Sequence, residues 1–380
     1  MVTKQSSWVE ISQSAFDHNI RTYRSIIGRD TKLSLVIKSN AYGHDTETAA
    51  RLGQQHPEID WLCINSLSEA LVARQIGVTK PILVINNIDD DIEMAINQNI
   101  ALIGYSIEQL KILNNIATQC KKPINVHLKV DTGMSRLGFF PDQLLSCISQ
   151  ILQLPLVKMQ GIFTHFAESS KADFQYTALQ ANRFKQLLEA LQKRNINIPL
   201  RHIANSAAIP TVSFNQANMV RLGAGAYGLY SSAANLEIIK KQHHDFTLKP
   251  ILRWKTRILA IKDVPSESFV GYSRTFKTNR DTTIGFLPVG HHEGMDKKLS
   301  NVGLVYLENK QTYAPIIGMI CLNLTMVDLT GTSAQEGDEV ILIGSQEEVS
   351  PGKIAHQLAE ENLRTITGRI TPTIKRIIVP

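Results

Sequence analysis

Lys38 is the residue of this chain whose position most directly suggests chemistry. It follows the apolar run Leu33 to Ile37 and precedes the polar, glycine-containing segment Ser39 to His44. A short apolar run bounded by turn residues predicts a buried strand, so the lysine would stand where a strand ends. A lysine amine shielded from water can act as a nucleophile or a base. Judged by its surroundings alone, a lysine that reaches from a strand end into water is the simpler interpretation.

Short β-rich runs alternate with segments of helical period from residue 33 to about residue 228. Candidate strands cover residues 33–37, 61–64, 82–85, 101–103, 124–130, 157–164, 200–204 and 219–222. The clearest helix is Gln175 to Lys193, whose apolar residues recur on one face. Because about eight strands are each followed by helix or turn signals, this region predicts an α/β fold, a (β/α)8 barrel of the TIM type.

A barrel would bring distant polar residues into one pocket. The following candidates all come after predicted strands: Lys38, Arg136, His165, Asn205, Ser206 and Arg221. Residues at the C-terminal ends of barrel strands meet at one rim, where enzymes of this fold place their active sites. Loops are generally polar, so any single one of these residues also fits an ordinary surface position.

The pattern changes after Tyr230. A polar stretch runs to about residue 250, and further candidate strands cover residues 257–261, 283–288, 302–307, 326–329 and 339–343. Short strands separated by turn residues predict a mainly β domain. We therefore expect a barrel over residues 12–235 and a C-terminal β domain over residues 240–380.

Composition narrows the class of protein. With 380 residues, 43% of them hydrophobic, the chain is long enough for a large core and two domains. The net charge of +6 is small, and acidic and basic residues are mixed along the sequence. No basic stripe with interleaved aromatic residues is present, so we do not expect nucleic acid as a partner. A few of these charges suffice to bind an anionic small molecule.

Cysteine and histidine placement argues against a metal centre. The cysteines are scattered without metal-ligand spacing, which favours reduced, buried thiols: Cys63, Cys120, Cys147 and Cys321. Adjacent His291 and His292 would point to opposite faces of a strand and so would not share one ion. No apolar run is long enough to span a bilayer, and residues 1–20 do not read as a signal peptide. We therefore expect a cytoplasmic protein without metal or membrane association.

Six segments resemble, in the same order, the motifs of the alanine racemases. The first, Val-Ile-Lys-Ser-Asn-Ala-Tyr-Gly-His at 36–44, resembles the pyridoxal-phosphate lysine motif of that family. The others cover residues 126–138, 161–166, 202–208, 221–228 and 270–275. Each match alone is weak, but the ordered set is specific. The resemblance implies an amino-acid racemase of fold-type III that depends on pyridoxal 5′-phosphate.

The resemblance implies two bases on opposite faces of the substrate. Lys38 would carry the cofactor and, once freed, act as one base, whereas Tyr272 would be the other. His165 would assist Tyr272 and link it to Arg221, which would donate to the cofactor's ring nitrogen and keep it unprotonated. Without their motifs, Tyr272 would be an ordinary tyrosine of the β domain and Arg221 a surface ion-pair partner.

Further residues match the cofactor and substrate contacts of the family. The full set implied for the cofactor is Lys38, Tyr42, Arg136, His165, Asn205, Ser206, Arg221, Gly223 and Ala224. Of these, the Tyr42 and Ser206 hydroxyls and the glycine-containing turn would hold the phosphate. Arg136 and the backbone amide of Leu322 would bind the substrate carboxylate. Lys129 matches a lysine that is often carbamylated and that would then orient Arg136.

Three positions depart from the family pattern. Asn323 stands where the family has aspartate, and His291 stands where it has an entrance tyrosine. A tyrosine that contacts phosphate in some members aligns with Pro372. Because the first two changes lie near the substrate entrance, we expect altered substrate selectivity with the cofactor chemistry retained.

The favoured function is interconversion of L- and D-alanine, which would supply D-alanine for peptidoglycan. The alternatives are a racemase of serine or broader specificity, a fold-related amino-acid decarboxylase, and a pyridoxal-phosphate homeostasis protein with little turnover. The last would resemble the barrel alone, so the second domain and Tyr272 argue against it. The resemblance also implies that a strand within residues 1–11 joins the β domain. It further implies a homodimer in which Tyr272 of one chain lies over Lys38 of the other.

Overall fold

Eight parallel strands close a barrel. The computed structural model describes residues 6–171, 173–213, 215–360 and 362–380. The barrel strands are β2 (Lys32–Val36), β3 (Trp61–Ser66), β4 (Ile82–Asn87), β5 (Ile100–Gly104), β6 (Ile124–Lys129), β7 (Val157–Phe163), β8 (Leu200–Asn205) and β9 (Met219–Leu222). They pair in chain order, and β9 returns to pair with β2, placing Val220 beside Leu33. The predicted (β/α)8 barrel is confirmed.

Helices pack around this barrel. They are α1 (Gln13–Ile27), α3 (Thr46–Gln55), α4 (Leu67–Gln75), α5 (Ile92–Asn97), α6 (Ile107–Cys120), α7 (Pro141–Leu152), α8 (Gln175–Lys193) and α9 (Ala233–Gln242). Ser66 and Ser106 begin α4 and α6 by accepting a backbone N–H of the first turn, at 3.2 and 3.1 Å. Helix α8 has the bounds that its apolar period predicts, and its Phe184 is fully buried.

The remaining strands form a mainly β domain, as predicted. They are β1 (Ser7–Ser12), β10 (Leu252–Arg257), β11 (Ala260–Val264), β12 (Phe269–Val270), β13 (Phe276–Lys277), β14 (Thr282–Leu287), β15 (Leu304–Leu307), β16 (Thr312–Pro315), β17 (Thr325–Asp328), β18 (Glu339–Ile343) and β19 (Arg376–Val379). One sheet has the order β16-β15-β18-β10-β1-β19, a second β11-β14-β17, and β12 pairs with β13. The domain also contains α10 (Pro351–Gln357) and α11 (Arg364–Gly368).

The N-terminal strand belongs to the β domain, and a helix crosses the expected domain boundary. Strand β1 lies between β10 and β19, far from its neighbours in sequence, while residues 1–5 lie outside the described residues. Helix α9 crosses the boundary expected between residues 235 and 240. The exact division of the chain into domains therefore stays a prediction.

One predicted strand is wrong, and four short strands were not predicted: β12, β13, β16 and β19. Instead of one strand over residues 257–261, Arg257 ends β10 and Ala260 begins β11 in a different sheet. Between them the Leu259 N–H donates to the Phe286 carbonyl at 2.8 Å, so the chain crosses from one sheet to the other. Strands β16 and β19 have only four residues each; β16 forms a hairpin with β15, whereas β19 pairs with β1 at the other end of the sequence.

The turn that follows Lys38 is strained. The short helix α2 (Lys38–Tyr42) has left-handed backbone at Ser39, Asn40 and Ala41, with φ of 55°, 52° and 48°. For residues other than glycine, this conformation costs about 1–2 kcal/mol per residue. Contacts elsewhere must hold such a turn in place.

The C-terminal part of the β domain supplies those contacts. Thr367 Oγ1 donates to the carbonyl of Tyr42 at 2.8 Å, and Arg376 Nη2 donates to the carbonyl of Gly43 at 3.0 Å. A Cβ atom on Gly43 would overlap the backbone carbonyl of Thr367. The β domain thus packs backbone against backbone on the turn that carries Lys38.

We expect Gly43→Ala to destabilise the protein more than Gly77→Ala. Both glycines end a helix with nearly equal φ, 91° and 92°, so both substitutions introduce the same strain. No atom lies within 4 Å of the Cβ position at Gly77, whereas the Gly43 position is filled by Thr367. Gly77→Ala should lower the melting temperature by about 2–4 °C. Equal melting temperatures for the two variants would show that the contact with Thr367 is not tight.

Candidate active site

A cavity of about 370 Å³ opens at the C-terminal ends of the barrel strands. The following residues predicted from the sequence line it: Lys38, Tyr42, Lys129, Arg136, His165, Asn205, Ser206, Arg221, Gly223 and Ala224. They come from the ends of five strands, β2, β6, β7, β8 and β9, and from the loops that follow. The barrel therefore gathers these residues into one pocket.

The cavity is strongly cationic. The basic residues that line it are Lys38, Lys129, Arg136, Arg221 and Arg364. No acidic side chain is found among the described residues of its wall. Burial lowers the pKa of Lys38, and the charges of Arg136, Arg364 and Arg221 lower it further. The cavity thus suits an anionic ligand, and the Lys38 amine loses its proton more readily than that of an exposed lysine.

Arg221 is a buried cation in the cavity wall. Its Nη1 donates to His202 Nδ1 at 2.6 Å and its Nη2 to the Thr164 carbonyl at 2.8 Å. Its guanidinium lies 5.2 Å from the centre of the Phe163 ring. Burial lowers the pKa of Arg221 to about 10, so it stays protonated at neutral pH. In the described part of the chain it makes no ion pair, which leaves its charge available to a ligand.

The hydrogen bonds of Arg221 determine the proton positions on three histidines. A guanidinium can only donate, so Nδ1 of His202 and, at 3.2 Å, Nδ1 of His165 must accept. His202 Nε2 then donates to His127 Nδ1 at 2.8 Å. Burial lowers the pKa of all three rings, and the charge of Arg221 lowers it further. The rings are neutral at pH 7, and His165 carries its proton on Nε2.

One side of the cavity presents hydroxyl and amide groups. Ser206 Oγ accepts the backbone N–H of Gly223 at 2.8 Å and that of Gly225 at 3.3 Å. A Cβ atom on Gly223 would come within 2.6 Å of the Tyr42 hydroxyl, so only glycine leaves this space open. Asn205 Oδ1 accepts the backbone N–H of Ala207 at 3.1 Å and supports the turn. Hydroxyls and amides beside cations fit a phosphate group.

On another side, Asp131 orders the loop that carries Arg136. Its carboxylate accepts backbone N–H groups of residues 133–136 at 2.8–3.1 Å. Burial raises the pKa of Asp131, but these hydrogen bonds outweigh burial and lower it. Lys129 is buried nearby, and burial, followed by the charges of Arg136 and Arg221, lowers its pKa to about 8.

Two predicted site residues lie outside the cavity. Tyr272 is 69% exposed and Leu322 is 55% exposed, and neither lines the cavity of its own chain. Tyr272 follows Gly271, which has a φ of 70°, and precedes Ser273, which has a φ of 58°. This unusual backbone presents the phenol to the surface of the β domain. One chain alone therefore does not place Tyr272 beside Lys38.

The segments with altered entrance residues pack against each other. Asn323 Nδ2 donates to Glu293 Oε1 at 2.6 Å, and the His291 N–H donates to the Cys321 carbonyl at 3.0 Å. Asn323 is exposed and His291 is half-buried. The two departures thus belong to one surface region of the β domain.

The structure also reveals a cavity residue that the sequence motifs did not indicate. Arg364, the first residue of α11, lines the cavity, whereas Pro372 is exposed and does not. An arginine in a polar C-terminal segment carries no local signal, because only the packing of the two domains brings it to the barrel rim.

Within the described ranges, no group of three or more His, Cys, Asp or Glu side chains is arranged to hold a metal ion. No helix in the same ranges has the length and apolar character needed to cross a bilayer.

Comparisons with known proteins agree with this geometry. Residues 11–231 match the family model "Alanine racemase, N-terminal domain", and residues 251–378 match "Alanine racemase, C-terminal domain". An "Alanine racemase 2" of Caldanaerobacter subterraneus subsp. tengcongensis is 35% identical over 373 residues, covering 97% of this chain and 92% of that protein. An "Alanine racemase" of Methanococcus maripaludis is 34% identical, covering 94% of this chain and 95% of its own.

Solved structures show the same architecture. An alanine racemase of Clostridium difficile 630 superposes with a TM-score of 0.91 at 29% identity, covering 99% of this chain and 96% of the other. An alanine racemase of Bacillus anthracis with bound L-Ala-P superposes with a TM-score of 0.88 at 26% identity, covering 100% and 96%. Both family models and full-length relatives match, so the chain belongs to the alanine racemase family.

Proposed function

We propose that this protein is a pyridoxal-phosphate-dependent racemase that interconverts L- and D-alanine and supplies D-alanine for peptidoglycan. The observation that carries the proposal is the convergence of Lys38 with four further cations in a cavity whose described wall contains no acid. A phosphate and an amino-acid carboxylate would neutralise this charge. The family membership identifies the same class of enzyme.

The residues present fit pyridoxal 5′-phosphate. Lys38 would hold it covalently, while Tyr42, Ser206 and the amides of Gly223 and Ala224 would hold the phosphate. When bound, the cofactor supplies the electron sink that makes the α-proton of an amino acid removable.

Other cavity residues would orient the cofactor ring. Arg221 would donate to the ring nitrogen, and Asn205 would support the neighbouring turn. Burial lowers the pKa of Arg221 only to about 10, so it stays protonated at neutral pH and cannot take a proton from that nitrogen. Arg136 would bind the substrate carboxylate, together with the backbone amide of Leu322.

Two bases would serve opposite faces of the substrate. The lowered pKa of Lys38 leaves more of its amine unprotonated at neutral pH than in an exposed lysine, and the unprotonated amine can take a proton. Tyr272 would serve the other face. A phenol needs a hydrogen-bond donor near its oxygen to lose a proton at this pH, and the Nε2–H of His165, fixed by Arg221, can supply it.

The position of Tyr272 supports a homodimer with shared sites. The phenol is exposed on the β domain and absent from the cavity of its own chain. In a two-fold dimer, the β domain of each chain can cover the cavity of its partner. Tyr272 and Leu322 would then complete the site of the other chain.

A racemase of serine or broader specificity is the second candidate. It is favoured by Asn323 and His291, which change charge and size in the entrance region while the cavity keeps its predicted residues. The homeostasis protein is disfavoured, because the second family model matches residues 251–378. The decarboxylase is disfavoured because the two full-length relatives described above are alanine racemases.

Purified protein supplied with pyridoxal 5′-phosphate should convert L-alanine to D-alanine, and it should racemise serine more slowly. Lys38→Ala should abolish D-alanine formation, since both the cofactor bond and one base are lost. Tyr272→Phe should lower kcat by about 10²–10⁴-fold, the usual contribution of one acid–base group. Tyr306→Phe, in the same domain but away from the cavity, is the control and should retain activity. D-alanine formation by Lys38→Ala at the wild-type rate would refute the proposed function.

We further propose that Lys129 is carbamylated. Carbamylation requires an unprotonated amine. With a pKa of about 8, Lys129 loses its proton at a lower pH than an ordinary lysine does. With ¹³C-bicarbonate at pH 8, a carbamate signal should appear in the ¹³C NMR spectrum and fade as the pH falls below the pKa. Lys129→Met should lack this signal, whereas Lys158→Met, which removes an exposed lysine, should keep it. A signal that persists in Lys129→Met would place the carbamate elsewhere.

A further inference from the structure

Arg364 reaches the cavity from the second domain. Its Nε donates to Asn362 Oδ1 at 2.7 Å, and no carboxylate pairs with it among the described residues. Two arginines nearby in sequence differ. Arg369 pairs with Asp296 and Glu360, and Arg376 donates to backbone carbonyls. Among the described residues, Arg364 is therefore the arginine of this segment whose Nη groups have no protein partner and can bind a ligand.

The surroundings of Arg364 locate it on the hydroxyl and amide side of the cavity. Its helix packs on α2, where Thr367 Oγ1 holds the Tyr42 carbonyl. The positive charge of Arg364 acts on both Lys38 and Tyr42. The Tyr42 hydroxyl in turn lies against Gly223. Arg364 thus flanks the group of donors that would hold a phosphate.

We propose that Arg364, a residue of the second domain, binds the phosphate of the cofactor. This inference rests on the proposed function. A guanidinium presents two parallel N–H donors that match two phosphate oxygens. Its Nη groups make no hydrogen bond to the described residues, and the bond from Nε to Asn362 holds the side chain in place.

The proposal also accounts for the contact between α11 and α2. The same short helix would hold the strained turn after Lys38 through Thr367 and bind the phosphate through Arg364. The covalent end and the phosphate end of the cofactor would then be positioned by one element.

The test compares two ligands that differ only in the phosphate. Apoprotein is titrated with pyridoxal 5′-phosphate and with 5′-deoxypyridoxal, and the dissociation constants are measured from the absorbance of the bound ligand. Arg364→Gln should weaken binding of the phosphorylated ligand by about 10- to 100-fold, the usual loss for a hydrogen bond to a charged group. Binding of 5′-deoxypyridoxal should not change.

Two further variants separate a phosphate contact from a structural effect. Arg364→Lys keeps the charge without the fork and should show a smaller loss that is again selective for the phosphorylated ligand. Arg369→Gln disturbs the same segment outside the cavity and should not discriminate between the ligands. Equal weakening of both ligands by Arg364→Gln, no weakening, or the same selective loss in Arg369→Gln would each overturn the assignment. Wild-type protein that binds neither ligand would instead overturn the proposed function itself.

Discussion

Uncompensated positive charge at the mouth of the barrel is the constraint on which the rest of the structure depends. Burying Arg221 without an acidic partner costs several kcal/mol, and neighbouring cations add repulsion. Carbonyls and neutral histidines offset part of this cost through hydrogen bonds. An anionic ligand bound in the cavity would offset the remaining cost, as the proposed function requires. The lowered pKa of Lys38 follows from the same charges and makes its amine reactive.

Backbone strain is concentrated where the reactive lysine enters the cavity. Four consecutive residues after Lys38, Ser39 to Tyr42, have positive φ and turn the chain sharply. Thr367 and Arg376 of the β domain hold this turn by hydrogen bonds to its carbonyls. The β domain thus has a role within its own chain, separate from its proposed role in presenting Tyr272 to a partner. It links the geometry of the lysine to the packing of the two domains.

Local signals in the sequence predicted the barrel, and the resemblance to the alanine racemase motifs indicated most of the cavity residues. The strands of the barrel are continuous apolar runs, and polar residues such as Arg136 and Asn205 follow them, so the fold alone brings these residues together. Features that depend on long-range packing were not predictable in this way. Arg364 carries no local signal, β19 pairs with a strand at the other end of the chain, and the predicted strand over residues 257–261 ignored a change of sheet. The sequence motifs indicated Tyr272, which is exposed and lies outside the cavity of its own chain.

The central claim is that each site combines the cationic cavity of one chain with Tyr272 of another. Mixing inactive Lys38→Ala and Tyr272→Phe proteins after unfolding and refolding tests it directly. Random assortment makes about half of the dimers mixed, and each mixed dimer has one site with both native residues, so about a quarter of wild-type activity should return. If each site were built within one chain, every site would carry a substitution. No recovery of activity, with mixed dimers confirmed by native mass spectrometry, would contradict the account.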